Sequence, residues 1–115
     1  MMDKDCIFCK INAGHIPANI VFRSNHCFAI EDISPKAPVH VLIIPEVHVK
    51  SLSEIPASNG DISAAIFAAA AKIANSKNLT AKGYRLVLNQ GPDAGQTVEH
   101  MHVHLLGGQL LGEMG

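Results

Sequence analysis

Tryptophan is absent, tyrosine occurs once, and aromatic residues make up only 4% of the 115-residue chain. Few rings means few platforms on which the bases of a single-stranded nucleic acid could stack. Basic residues number nine against ten acidic ones, for a net charge of −1, and they are scattered. No basic groove for polymeric nucleic acid is therefore legible, although a few backbone N–H groups and histidines suffice for a small anionic ligand. The longest apolar runs, Val41–Ile44 and Ala64–Ala71, fall far short of the roughly 20 residues that span a bilayer. Met1–Asp5 holds no apolar stretch suited to a signal peptide, so a cytoplasmic protein without membrane contact is expected. Three cysteines, an odd number, argue against a disulfide framework and for metal binding or plain burial. What the chain does have is 48% hydrophobic residues, enough for one core, and a single domain over residues 1–115 is expected. It is also rich in histidine: seven in all, three of them within five positions.

The patterning places most elements. Cys6–Ala13 carries Ile7, Phe8 and Ile11 at helical spacing, and Gly14 is placed to close a short helix. Ile20–Phe22 and Cys27–Ile30, separated by Ser24-Asn25, read as a hairpin. Val39–Ile44 is almost wholly apolar and ends at Pro45, as suits a central strand buried on both faces. Ser53–Ile55 forms a short turn, and Ser58-x-x-Asp61 resembles a capping box. Ile62, Ala65, Ile66, Ala69 and Ile73 then mark one face of a long helix running to about Lys77. Tyr84–Asn89 and Val98–Leu106 read as the last two strands, with a glycine loop between them. Strands and helices do not alternate as βαβ units, which favours an antiparallel sheet with helices packed on it, an α+β domain. Phe67 and Ala70 lie off the main helix stripe and suit a symmetric contact between two copies of so small a chain.

His100-Met101-His102-Val103-His104 carries the strongest chemical signal. On a strand, alternate side chains share a face, so the three imidazoles point one way and Met101 and Val103 the other. One such histidine is usually a satisfied core or surface residue; three at strand period are costly to hide without polar partners. A metal shared by all three is disfavoured. Same-face neighbours on a strand lie about 6.5–7 Å apart and the outer pair about 13 Å apart, whereas each Zn–N bond is about 2.0–2.1 Å. Chemistry at phosphorus fits better, because neutral imidazole attacks near neutral pH, departs when protonated and donates to a phosphoryl oxygen. Asn89-Gln90-Gly91-Pro92-Asp93-Ala94-Gly95-Gln96-Thr97 leads into this row. Alone it is an ordinary loop; beside the histidines it is a candidate cradle for an oxyanion.

Cys6-x-x-Cys9 leaves alternatives open. A thioredoxin-like redox pair wants a preceding strand, and only five residues come before it. Two inert buried thiols are one reading, and zinc is another. Zinc needs two further ligands, for which His48 and His100 are candidates, and a closed Cys2His2 set has no open position for water. Cys27 reads as core.

These blocks together resemble the histidine triad (HIT) hydrolases, in particular their nucleoside phosphoramidase branch. The resemblance is carried by His100–Gly108, by Asn89–Gly91 with Gly95–Val98, by Asp32–Pro45, and by Ile7–Ile11 with Ile16-Pro17. It implies a homodimeric α+β fold with a five-stranded antiparallel sheet. It also implies hydrolysis at the α-phosphorus of a purine nucleotide, such as an adenosine or guanosine 5′-phosphoramidate, through a nucleotidyl-histidine. By the resemblance His102 is the nucleophile, His104 contacts the α-phosphate, and His100 and His40 orient and polarise the site. Asn89, Gly95 and Thr97 hold phosphate or leaving group, and Asp32 holds the ribose hydroxyls. Ile7, Phe8, Ile11, Ile30, Ile33 and Leu42 form the slot for the base. Cys6, Cys9, His48 and His100 match a structural zinc set found in bacterial relatives, and no catalytic metal is required. Two alternatives stay open: a zinc-stabilised nucleotide-binding interaction protein with incidental hydrolysis, and a dinucleoside polyphosphate hydrolase. The tail Gln109–Gly115 and position Glu99 lack the aromatic residues that relatives often carry there, which bears on leaving-group preference.

Overall fold

The computed structural model describes residues 3–55 and 60–114. Its elements are α1 (Ile7–Asn12), β1 (Ile20–Arg23), β2 (Cys27–Glu31), β3 (Val39–Pro45), α2 (Gly60–Ser76), β4 (Tyr84–Val87) and β5 (Val103–Gly107), with short 3-10 turns at Leu52–Glu54 and Pro92–Ala94. The five strands form one antiparallel sheet in the order β1-β2-β3-β5-β4. This is the expected α+β architecture.

The helix α1 ends as its glycine foretells. Gly14 has φ +81°, and the bonds His15 N–H to Lys10 O and Gly14 N–H to Ile11 O close the turn in Schellman fashion. The expected cap residue of α2, Ser58, lies outside the described residues. β2 and β3 are buried on both faces, and their alternation sorts the core into two layers. Cys27, Ala29, Val41, Ile43, Met101, Val103 and Leu105 pack with Ile62, Ile66, Ala69 and Ile73 of α2. Phe28, Ile30, Leu42 and Ile44 pack on the other face with Cys6, Phe8, Cys9 and Ile11 of α1. Cys27 is the core residue expected, fully buried.

Two expectations need correction. The last strand begins at Val103, not Val98. Ladder pairing with β3 stops at Ile43–Val103, because Pro45 has no N–H to offer and Met101 N–H turns instead to Val49 O at 2.7 Å. Ala70 is 2% exposed and belongs to the chain's own core, so among the two off-stripe residues only Phe67, at 67%, faces outward. No helix among the described residues is long and apolar enough to cross a membrane.

Candidate functional site

The histidine row lies on the sheet face opposite α2, as its alternation requires: Met101, Val103 and Leu105 fill the layer under the helix, while His104 pairs in register with Leu42 of the other layer. Only His104 is within β5; His100, at a bend, and His102 precede it outside the strand. Each ring nitrogen's partner fixes what that ring can do. His102 Nδ1 lies 2.8 Å from the carbonyl oxygen of His100, its own backbone two residues back. A carbonyl only accepts, so Nδ1 carries the proton and Nε2 keeps a bare lone pair. Phe8 packs edge-on against the ring at 5.1 Å, and the His104 ring lies tilted to it at 5.0 Å.

A second chain of contacts fixes His104. The backbone N–H of Lys36 donates to His40 Nδ1 at 3.1 Å. His40 in its neutral form therefore has its hydrogen on Nε2, which lies 2.9 Å from His104 Nδ1. His104 Nδ1 accepts, which leaves the His104 proton on Nε2. Burial lowers the pKa of His40, with Lys36 adding to the effect and Asp32 opposing it. Burial, reinforced by His102 and His40, lowers that of His104 to about 4. Both are neutral donors at pH 7. Asp32 stands at the rim: Oδ1 accepts the N–H of Ser34 at 2.7 Å and Oδ2 lies 3.5 Å from His40 Nε2.

The four sulfur and nitrogen ligands expected for a metal also meet. Cys6 Sγ lies 3.2 Å from His100 Nδ1, and Cys9 Sγ lies 3.5 Å from His48 Nδ1 and 3.7 Å from His100 Nδ1. Tetrahedral zinc with ordinary Zn–S and Zn–N bonds needs N···S edges of about 3.6 Å, so the donor set fits that ion. The surroundings fit too. His100 Nε2 donates to Pro45 O at 2.8 Å, which leaves its Nδ1 lone pair toward the thiols, and Asp3 Oδ2 lies 3.7 Å from His48 Nε2. Backbone N–H groups of Asp3 and Cys9 point at Cys9 Sγ and Cys6 Sγ, at 3.3 and 3.4 Å. Burial first of all lowers the His100 pKa to about 4 and raises that of Cys6. The imidazole is thus ready to ligate, whereas the thiol needs a cation to release its proton.

The HIT domain family model matches residues 13–110. The chain belongs to the HIT family. It is 40% identical, over 98% of its length and 95% of the relative's, to the purine nucleoside phosphoramidase of Escherichia coli K12. It is 44% identical, over 96% of each chain, to an uncharacterized HIT-like protein of Synechococcus elongatus. Among solved structures it resembles a histidine triad protein from Clostridium difficile, with a TM-score of 0.94 at 40% identity over the whole of both chains. A Zn-bound histidine triad family protein from Mycobacterium smegmatis gives a TM-score of 0.79 at 32% identity, covering 89% of this chain and 73% of that one.

In this HIT protein the expected residues fall into four groups. His40, His102, His104 and Asp32 converge, as do Cys6, Cys9, His48 and His100. Both ring nitrogens of His100 are engaged with Pro45 and the thiols, so its part in the histidine site narrows to the carbonyl that holds His102. Of the six slot residues, Phe8, Ile11, Ile30 and Leu42 share one cluster; Ile7 is 45% exposed and Ile33 is 99% exposed, outside it. Asn89 is half-buried, and Gly95 and Thr97 are exposed in the glycine loop. Sequence reasoning missed Gln96, which braces that loop: Oε1 accepts from Gly91 N–H, and Nε2 donates to Lys50 O and Val98 O. It also missed the backbone of Lys36. Gln96 stood inside the quoted loop block, whereas a backbone N–H leaves no trace in sequence.

Proposed function

We propose that this HIT protein is a hydrolase that cleaves the P–N bond of purine nucleoside 5′-phosphoramidates through a nucleotidyl-His102 intermediate. The observation that carries the reading is the fixed tautomer of His102, with Nδ1 held by the His100 carbonyl and Nε2 bare. Family membership and the relative named as a phosphoramidase support it. In the first step His102 Nε2 attacks the α-phosphorus, the P–N bond breaks, and the amine leaves with a proton taken from solvent, while His102 keeps its Nδ1 proton. In the second, water attacks the same phosphorus and gives up one proton to solvent, the N–P bond to His102 breaks, and nucleoside monophosphate and neutral His102 are restored. His104 Nε2–H faces the charge that builds on the phosphoryl oxygens, and His40 holds it in that tautomer. Phe8, Ile11, Ile30 and Leu42 form the apolar wall for the base, Asp32 takes the ribose hydroxyls, and Asn89, Gly95 and Thr97 take phosphate or leaving group.

Cys6, Cys9, His48 and His100 hold a structural zinc, which, when bound, supplies cross-linking of α1 to the chain before β5 rather than chemistry. The whole chain acts as one HIT domain, in the cytoplasm. Two copies associate as a homodimer through the face that carries Phe67, beside Leu86 and Leu88. Turnover of an adenosine 5′-phosphoramidate measured beside a dinucleoside polyphosphate tests the substrate class. Clear preference for the phosphoramidate supports it; preference for the polyphosphate moves the protein to the other hydrolase class, and turnover of neither favours a binding role.

A further inference from the structure

The glycine loop that leads into the histidine row uses much of its own backbone to fold on itself. Ala94 N–H bonds to Gly91 O at 3.2 Å, Gly95 N–H to Pro92 O at 3.0 Å, and Gln96 N–H to Gly91 O at 3.2 Å. Gly91 N–H in turn donates to Gln96 Oε1 at 2.8 Å. Asn89, half-buried, and Thr97, exposed, are the polar side chains assigned to phosphate or leaving group, and they stand at the two ends of this loop. The loop is also tied to a second segment. Gln96 Nε2 donates to Lys50 O at 3.2 Å and to Val98 O at 3.1 Å, and Leu52 N–H donates to Gln90 Oε1 at 3.0 Å. The Gln96 amide fits one way round: turned over, its oxygen would face two carbonyls and its NH2 the N–H of Gly91. Lys50–Leu52 is itself held, because Lys50 N–H donates to Glu54 Oε1 at 2.7 Å and Glu54 N–H to Ser51 O at 3.1 Å. One residue earlier, Val49 O accepts from Met101 N–H at 2.7 Å, between His100 and His102. Val49–Leu52 thus contacts both the loop and the chain that carries the row.

We propose that Gln96 and Gln90 are positioning residues for the reaction at phosphorus: by clamping the glycine loop to Lys50–Leu52 they fix where Asn89 and Thr97 stand relative to His102. This rests on reading the row as a nucleophilic site and the loop as its cradle. The two glutamines do this with different chemistry. Gln90 engages Leu52 N–H through its oxygen, so a carboxylate can stand in for it. Gln96 uses both ends of its amide; a carboxylate there keeps the bond from Gly91 N–H but sets a charge against Lys50 O and Val98 O. Fixed donors help most where charge builds in the transition state, so a displaced loop slows the chemical step and leaves the hold on the base where it was.

The test is single-turnover release of amine from an adenosine 5′-phosphoramidate by the full chain, set beside the affinity for adenosine, which carries no phosphate. Folding of each variant is checked by circular dichroism. Gln96→Glu loses the two donated bonds, worth about fivefold each, so the chemical step should slow by up to about 25-fold, the rate following the fraction of molecules with the loop in place. Adenosine affinity should stay at the wild-type value. Gln90→Leu should slow the same step by up to about fivefold, and Gln90→Glu, which keeps the acceptor for Leu52 N–H, should restore it. Gln90 is exposed, so if the Gln96 variant does not fold, the Gln90 pair decides. A folded Gln96→Glu variant as fast as wild type overturns the inference, as does a Gln90→Glu variant as slow as Gln90→Leu. Adenosine affinity that falls in step with the rate also overturns it, because the damage then reaches beyond the loop. A wild type that releases no amine overturns the hydrolase reading and this inference together.

Discussion

Replacing His40 by alanine removes the hydrogen bond that reaches His104 Nδ1 at 2.9 Å and, through it, the cause of the proton's place on His104 Nε2. One such bond is worth about 1 kcal/mol, roughly fivefold in the ratio of the two tautomers. The ring of His104 also loses a packed neighbour at 5.1 Å. The adduct-forming step should therefore slow by up to about fivefold, because the rate follows the fraction of His104 in the donating tautomer. His104→Ala removes the donor itself, and loss of one preorganised donor typically costs on the order of 10²–10³ in rate. Because His40 acts through His104, the two effects should not multiply: the double variant should be no slower than His104→Ala alone, with a coupling as large as the whole His40 effect. The assay is single-turnover release of amine from an adenosine phosphoramidate, on variants shown to be folded. A double variant slower than His104→Ala by the full His40 factor would refute the relay and give His40 an independent role.

Acid should weaken the fold before it reaches the carboxylate range. His100 and His104 titrate at about 4 in the folded chain, against about 6.5 when unfolded, so between those values the unfolded state binds protons that the folded state refuses. The thermal midpoint should be level above about pH 6.5 and fall as pH drops toward 4; a midpoint unchanged across that window contradicts the burial of neutral rings. Phe67→Glu places a charge on an outward face of α2, where the homodimer contact is proposed; the wild type should sediment as a dimer and the variant as a monomer, with turnover as the accompanying measurement, and a variant that sediments as the wild type does removes that face from the proposed interface.

Much of this was legible because periodicity reports burial. The alternation of His100, His102 and His104 with Met101 and Val103 put the rings on one face and the apolar pair on the other, and the structure lays the apolar pair under α2. The double burial of Val39–Pro45 and the stripe of α2 were equally plain. What the pattern hid were contacts made by backbone atoms and by chain that leaves the ladder. Val98–His102 alternates like a strand, yet its groups bond to Val49, to the Gln96 side chain and to each other, so β5 starts later. The proton order along Lys36, His40 and His104 depends on a main-chain N–H that any residue except proline at position 36 would supply. Ile33, apolar in sequence, lies almost wholly in solvent, since nothing in one hydrophobic letter says whether a loop turns in or out.

Whether His102 forms a covalent bond to phosphorus can be measured directly. Wild-type protein quenched during turnover of an adenosine phosphoramidate should carry one adenylyl group, and peptide mapping by mass spectrometry should place it on His102. His102→Ala should carry none, and should lose nearly all turnover while still binding adenosine monophosphate through Asp32 and the Phe8, Ile11, Ile30 and Leu42 wall. An adduct on any other residue, or a His102→Ala variant that turns over near the wild-type rate, would contradict the chemistry assigned to the row.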